Sequence, residues 1–159
     1  VTGAVDAGWE RRLGLAPESF TFSNGQGSVR MTFTARGPVE YEALYTSPLL
    51  VVRDPAIEPP RSPASLQLRA EGLWVDHNCE TPLEHWSVGL EAFALAVAHV
   101  DDEVGDRVPF GLDLEWEASG PPEGGEGDYR VPAKVYGDVL LGRDIIDVET
   151  TGWWSHTWG

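Results

Sequence analysis

The sequence predicts an all-β chain, folded as an antiparallel barrel or sandwich of eight or nine strands, and three observations carry that expectation. Apolar and polar residues alternate with period two through stretches such as 29–34 and 110–117, the pattern of strands that bury one face. Punctuation rich in Gly, Asn and Asp separates these runs at hairpin spacing. No segment demands a helix, which leaves packed antiparallel sheet as the architecture.

Residues 1–19 read as a lead-in, with Trp9 and Leu13 as anchors and a short helical turn. The first strand pair is 20–22 and 29–34, joined by the hairpin signal Asn24-Gly25-Gln26-Gly27. Residues 39–52 continue in the same vein, and Pro48 within them predicts an edge or a bend. Residues 54–63 hold four prolines in ten positions (Pro55, Pro59, Pro60, Pro63) and read as a stiff extended loop. Residues 65–76 form the next strand, with Gly72 as a bulge candidate.

Residues 84–100 admit two readings. Leu90, Phe93, Ala94 and Val97 make a helical stripe, whereas Trp86, Val88 and Leu90 share one face of a strand and Phe93, Leu95 and Val97 the other. The strand neighbours favour a strand whose buried face switches near Ala92. Residues 109–118 place Phe110, Leu112, Leu114 and Trp116 on one side and Asp113, Glu115 and Glu117 on the other. Residues 119–128 are a mobile acidic loop. Two further strands, 129–141 and 145–151, flank the turn Gly142-Arg143-Asp144, and the aromatic stretch 152–159 reads as a last strand.

The whole chain of 159 residues reads as one domain, long enough to bury roughly 70% of its unfolded surface. Its formal charge of −15 is unevenly placed: residues 1–70 carry seven acids and seven bases, residues 71–159 nineteen acids and four bases. So acidic a surface argues against nucleic acid and anionic membranes as partners. The single Cys79 excludes an internal disulfide framework. No apolar run reaches the roughly 18 residues of a membrane span and no signal-peptide plan opens the chain, so the expectation is a cytoplasmic protein without membrane insertion.

The sequence has no G-x-S-x-G elbow, no Gly-rich phosphate loop and no H-E-x-x-H helix. His77, Cys79, Glu80 and His85 are residue types that bind zinc, but their spacing fits no closed tetrahedral site, so no metal and no other cofactor is expected. His85 and Glu91 share a strand face with Ser87 and Gly89 that turns apolar at Phe93. A carboxyl in such surroundings is pushed toward its neutral, proton-donating form. Asp113 and Glu115 read as a solvated outer ladder, or as cavity carboxylates if that face turns inward. Seven Trp exceed what a core of this size requires, and small barrels use such linings to fill the interior or to shape a ligand cavity.

The segment 74–116, with Glu80-Thr81-Pro82-Leu83-Glu84-His85-Trp86-Ser87 and Asp113-Leu114-Glu115-Trp116-Glu117, resembles the hydroxyneurosporene synthase-like superfamily of carotenoid 1,2-hydratases and lipocalin-like pericyclases. Pro132-Ala133-Lys134-Val135-Tyr136-Gly137 and His156-Thr157-Trp158-Gly159 extend the resemblance over residues 70–159. Where family members carry an Arg-Asp pair before the terminal motif, this chain has Trp154-Ser155. The resemblance implies a lipocalin-like barrel, commonly two per chain, holding a polyene, polyketide or terpenoid in a cofactor-free apolar cavity. It implies cyclisation (pericyclase or Diels-Alderase chemistry) or alkene hydration; the carboxyl and imidazole groups read from the strand faces, Glu91, His85 and Asp113, are the catalytic candidates. Trp74, Trp86, Phe93, Trp116, Tyr136, His156 and Trp158 are the cavity-lining candidates. The alternatives are a non-catalytic carrier, and one barrel of a pair completed by a second domain or a second copy.

Overall fold

The computed structural model describes residues 5–11, 17–34, 37–60 and 66–159; Leu13, Pro63 and Ser65 lie outside them. A 3₁₀ turn, Ala7–Arg11, precedes eleven strands: β1 Glu18–Ser23, β2 Gly27–Phe33, β3 Val39–Thr46, β4 Leu49–Ile57, β5 Leu66–Ala70, β6 Leu73–Thr81, β7 His85–Ala96, β8 Asp106–Ala118, β9 Glu123–Gly125, β10 Asp128–Leu141 and β11 Asp144–Trp158. All pair antiparallel in one sheet ordered β4-β3-β2-β1-β11-β10-β8-β7-β6-β5, with β9 added to β10. A β4–β7 contact closes eight of these strands into a barrel-like ring. Among the described residues the 3₁₀ turn is the only helical element, and no helix is long and apolar enough to cross a membrane.

The alternation read from the sequence is the alternation of the wall. On β8, Phe110, Leu112, Leu114 and Trp116 are buried, while Asp113 and Glu117 are exposed and Glu115 is half-buried. Residues 84–100 form a strand over 85–96, but its buried face does not switch. Trp86, Val88, Leu90 and Ala94 all point inward, and Phe93 is 57% exposed on the face it shares with Glu91. The strand stays regular because β7 runs in unbroken register with β8 from His85↔Glu117 to Ala96↔Asp106, and a face switch would need a bulge.

Gly72 is a turn residue at φ 70° between β5 and β6, so the bulge expected there is a hairpin. Pro48 sits in the turn between β3 and β4. Residues 54–57 belong to β4 rather than to the proline-rich loop, and the acidic stretch 119–128 carries the short strand β9.

One closure positions everything that follows. The β4–β7 contact consists of Leu50↔Ala96 and Val51↔Leu95 only. Beyond Val51, β4 and β5 run near each other as the two ends of the sheet order and share no ladder. The ring therefore has a lateral seam between residues 52–57 and 66–70, where the hydrogen bonds that hold the rest of the wall are missing.

Candidate functional site

Two polar assemblies lie inside this apolar wall. The first closes one end of the barrel. Glu10, on the 3₁₀ turn, is 2% exposed. The Leu83 backbone N–H and the Trp86 indole donate to its Oε1 at 2.6 and 3.0 Å, and the Tyr129 hydroxyl and the Trp154 indole donate to its Oε2 at 2.8 and 2.9 Å. Four donors on two carboxyl oxygens satisfy groups that would be costly to bury unpaired.

Leu83 adopts φ 63°, a left-handed conformation unfavourable for a branched side chain, and its N–H is one of those Glu10 accepts. Arg11 donates to the carbonyls of Cys79 and Glu80 at 3.0 and 3.2 Å, and the Trp9 ring packs on Trp158 and Tyr129.

The network continues to β11. His156 is fully buried, stacked on Phe20 with ring centroids 4.0 Å apart. Because Tyr129 spends its proton on Glu10, its oxygen accepts from His156 Nδ1 at 3.0 Å. Nε2 of the same ring meets buried Glu18 Oε2 at 2.5 Å. Glu10, Tyr129, His156 and Glu18 form one continuous chain of hydrogen bonds that fastens the lead-in to the barrel. Burial, followed by the nearby Glu10, raises the pKa of the Tyr129 hydroxyl, which keeps it a donor.

The second assembly is smaller and lies behind the seam. His77 on β6 is 0% exposed, and its Nε2 meets the Tyr41 hydroxyl on β3 at 3.1 Å. His77 stands opposite Leu66 of β5, and Tyr41 opposite Asp54 of β4. The pair therefore links β3 and β6, the strands that pair with the two flanking the seam. Phe22 presents its edge to the imidazole, with centroids 5.1 Å apart.

Burial lowers the pKa of His77 to about 3 and raises that of Tyr41, so at neutral pH both are uncharged. His77 Nδ1 is buried with no hydrogen-bond partner. If Tyr41 donates to Nε2, a single buried donor, Nδ1–H, is left over. The opposite tautomer orphans both the Tyr41 proton and the Nδ1 lone pair. The first arrangement leaves fewer polar groups unpaired. It makes His77 a neutral hydrogen-bond donor in an aromatic interior.

The candidates read from the sequence divide by face. Trp86, Trp116 and His156 point inward and are buried. Trp86 donates to Glu10, and Trp116 to the Ser23 carbonyl at 3.0 Å. Trp158 is half-buried at the closed end. Trp74, Phe93 and Tyr136 lie on the outer face, as do Glu91 and Asp113, both exposed. His85, half-buried on that face, contacts Glu115 Oε1 at 2.9 Å, and Ser87 Oγ lies 3.0 Å from the same oxygen. The outer face thus carries His85, Glu91 and Asp113 away from the interior aromatics; Glu91 and Asp113 line one groove, and His85 stands six residues from Glu91 along β7.

Glu10 and Glu18 escape sequence reading altogether, since nothing local marks a carboxylate in a lead-in as buried. His77 was legible only as part of a polar cluster. Burial pushes the Cys79 thiol up to about 12, so it remains protonated at neutral pH. Among the described residues no three His, Cys, Asp or Glu side chains are grouped so as to hold a metal ion.

A scan against protein-family models and searches of curated proteins and of solved structures each find no match to this chain.

Proposed function

We propose that the barrel binds a hydrophobic polyene, polyketide or terpenoid that carries a carbonyl oxygen, and that it promotes ring closure of that molecule without a cofactor. The observation that carries this reading is His77 Nδ1, a buried ring nitrogen without a hydrogen-bond partner among aromatic side chains, which the tautomer that leaves fewest groups unpaired makes a donor. A donor in such surroundings is strong because no water competes for it.

The ligand enters through the seam, since parting β4 from β5 breaks no ladder there. Its oxygen accepts from His77 Nδ1–H, while Tyr41 fixes the ring and the tautomer through Nε2. Phe22 and the core indoles supply apolar walls that hold the chain folded on itself. In an intramolecular [4+2] closure three π bonds become one π and two σ bonds, and no proton is gained or lost. A hydrogen bond that polarises the conjugated carbonyl, together with a preorganised conformer, is all that step asks.

Hydration is the weaker of the two chemistries for this pair. Protonating an alkene requires a strong acid, and neither a histidine held neutral down to about pH 3 nor a phenol with a raised pKa supplies one. A carrier role uses the same donor and differs only in turnover.

The test is titration of intrinsic tryptophan fluorescence with β-ionone, a polyenone, beside its hydrocarbon analogue without the oxygen. Saturable quenching by β-ionone, at least about tenfold tighter than by the hydrocarbon, supports the reading. No saturable quenching by β-ionone, or equal affinity for both, overturns it.

A further inference from the structure

The outer face of β6, β7, β8 and β10 carries a groove of about 430 Å³ that has no role in the interior site. Its floor is open because Gly89 and Gly111 stand where neighbouring strands project side chains. A Cβ at position 89 would come within 3.2 Å of the Trp74 ring, so the glycine is what lets the indole lie down over the sheet. Trp74, Leu140 and Ile145 form apolar walls, and Ile145 is 73% exposed. The rim is acidic throughout: Glu91 stands opposite Trp74, and Asp113 directly opposite Asp138.

Directly opposed like charges destabilise a sheet. Among the described residues none of these three carboxylates lies within ion-pair distance of a basic side chain; the contacts of that kind are Arg53–Glu42 and the two histidine–carboxyl contacts His85–Glu115 and His156–Glu18. The carboxylates are also not gathered tightly enough to ligate a metal. What complements an aromatic wall, an aliphatic wall and a spread-out acidic rim is a positive charge carried on an apolar body. The volume is that of a small-molecule site.

We infer that this groove binds a small organic cation, an arylalkyl- or alkylammonium. The apolar body lies against Trp74, Leu140 and Ile145, and the ammonium sits between Asp113 and Asp138 with Glu91 beside it. The site is separate from the His77–Tyr41 pair and does not depend on the function proposed for it.

The probe is phenethylammonium, followed by ¹H–¹⁵N chemical-shift titration, with 2-phenylethanol as its neutral counterpart. Saturable shifts should centre on the amides of Gly89, Gly111 and Asp138, and weaken as ionic strength rises. The Asp113→Asn/Asp138→Asn double variant relieves a like-charge contact and should stay folded while weakening binding at least about tenfold. Trp74→Ala should do the same. His77→Phe should leave this titration unchanged.

Equal response to 2-phenylethanol, shifts spread over the acidic loops instead of the groove, or unaltered binding in the aspartate variant would each overturn the assignment. Binding of a short oligo-arginine peptide without binding of the amine would overturn it in favour of a peptide partner.

Discussion

The indole of Trp154 and the carboxylate of Glu10 stand 144 positions apart in the chain, and the first donates to the second at 2.9 Å inside the closed end of the barrel. With Leu83, Trp86 and Tyr129 on the same carboxylate, the contact ties the 3₁₀ turn to β7, β10, β11 and the turn before β7. Removing the acceptor leaves four buried donors without it. Glu10→Ala is therefore expected to cost about 3–5 kcal/mol, and Glu10→Gln, which keeps one oxygen, distinctly less. Urea unfolding followed by tryptophan fluorescence measures both; a loss under about 1 kcal/mol for the alanine variant would mean the turn is not a structural clasp.

The buried His156–Glu18 pair follows the logic of a desolvated couple. Replacing either member alone takes one hydrogen bond from the other while leaving it buried, and His156→Phe should destabilise by about 3 kcal/mol or more. Replacing both with apolar residues should cost less than the two single changes added together. A double-mutant cycle reads the coupling, and additive losses would show that the two side chains do not depend on each other.

Stability should respond to pH through His77. Burial holds its pKa down from 6.5 to about 3. Below pH 6.5 the unfolded chain takes up a proton that the folded chain refuses. The stability due to neutral His77 is thus complete above pH 6.5 and lost as pH falls toward about 3, by up to about 1.4 kcal/mol per pH unit. His77→Phe removes this slope. Unfolding free energies at pH 7 and pH 5 should show the wild type losing about 2 kcal/mol more than the variant, whereas parallel pH profiles would place the imidazole in contact with water.

The outer-face residues should behave as a coat toward the interior ligand. Glu91→Gln, Asp113→Asn and His85→Ala are each expected to change stability by no more than about 0.5 kcal/mol and to leave β-ionone quenching unaltered. A tenfold loss of quenching in any of them would connect that face to the interior and return these residues to the reaction.

How far the sequence could be read depended on the range of the interactions. Period-two patterning is local, so β8 and the hairpins at Asn24–Gly27 and around Arg143 were legible, as was the outward ladder of Asp113, Glu115 and Glu117. Where both faces of a strand carry apolar residues the same pattern is ambiguous. Phe93 suggests an inward turn after Ala92, yet it lies exposed because the β7–β8 register carries the inner face straight through to Ala94. That one difference moves Glu91 and Phe93 to the outside. Glu10 depended on contacts 73 to 144 residues away, which no local pattern records. The seam that gives His77 and Tyr41 their setting comes from how the ring closes, through two residue pairs of β4 and β7. A closure of that kind is a property of the whole sheet, invisible to any segment of it.

In the proposed function His77 Nδ1–H is the donor that meets a ligand oxygen. Long-range ¹H–¹⁵N correlation of the imidazole, assigned with His77→Phe, observes that atom directly. The expected result is a neutral ring protonated on Nδ1 at pH 7, with the Nδ1 resonance moving as β-ionone saturates the protein and remaining still with the hydrocarbon analogue. A ring protonated on Nε2, or an Nδ1 resonance indifferent to bound β-ionone, would contradict it.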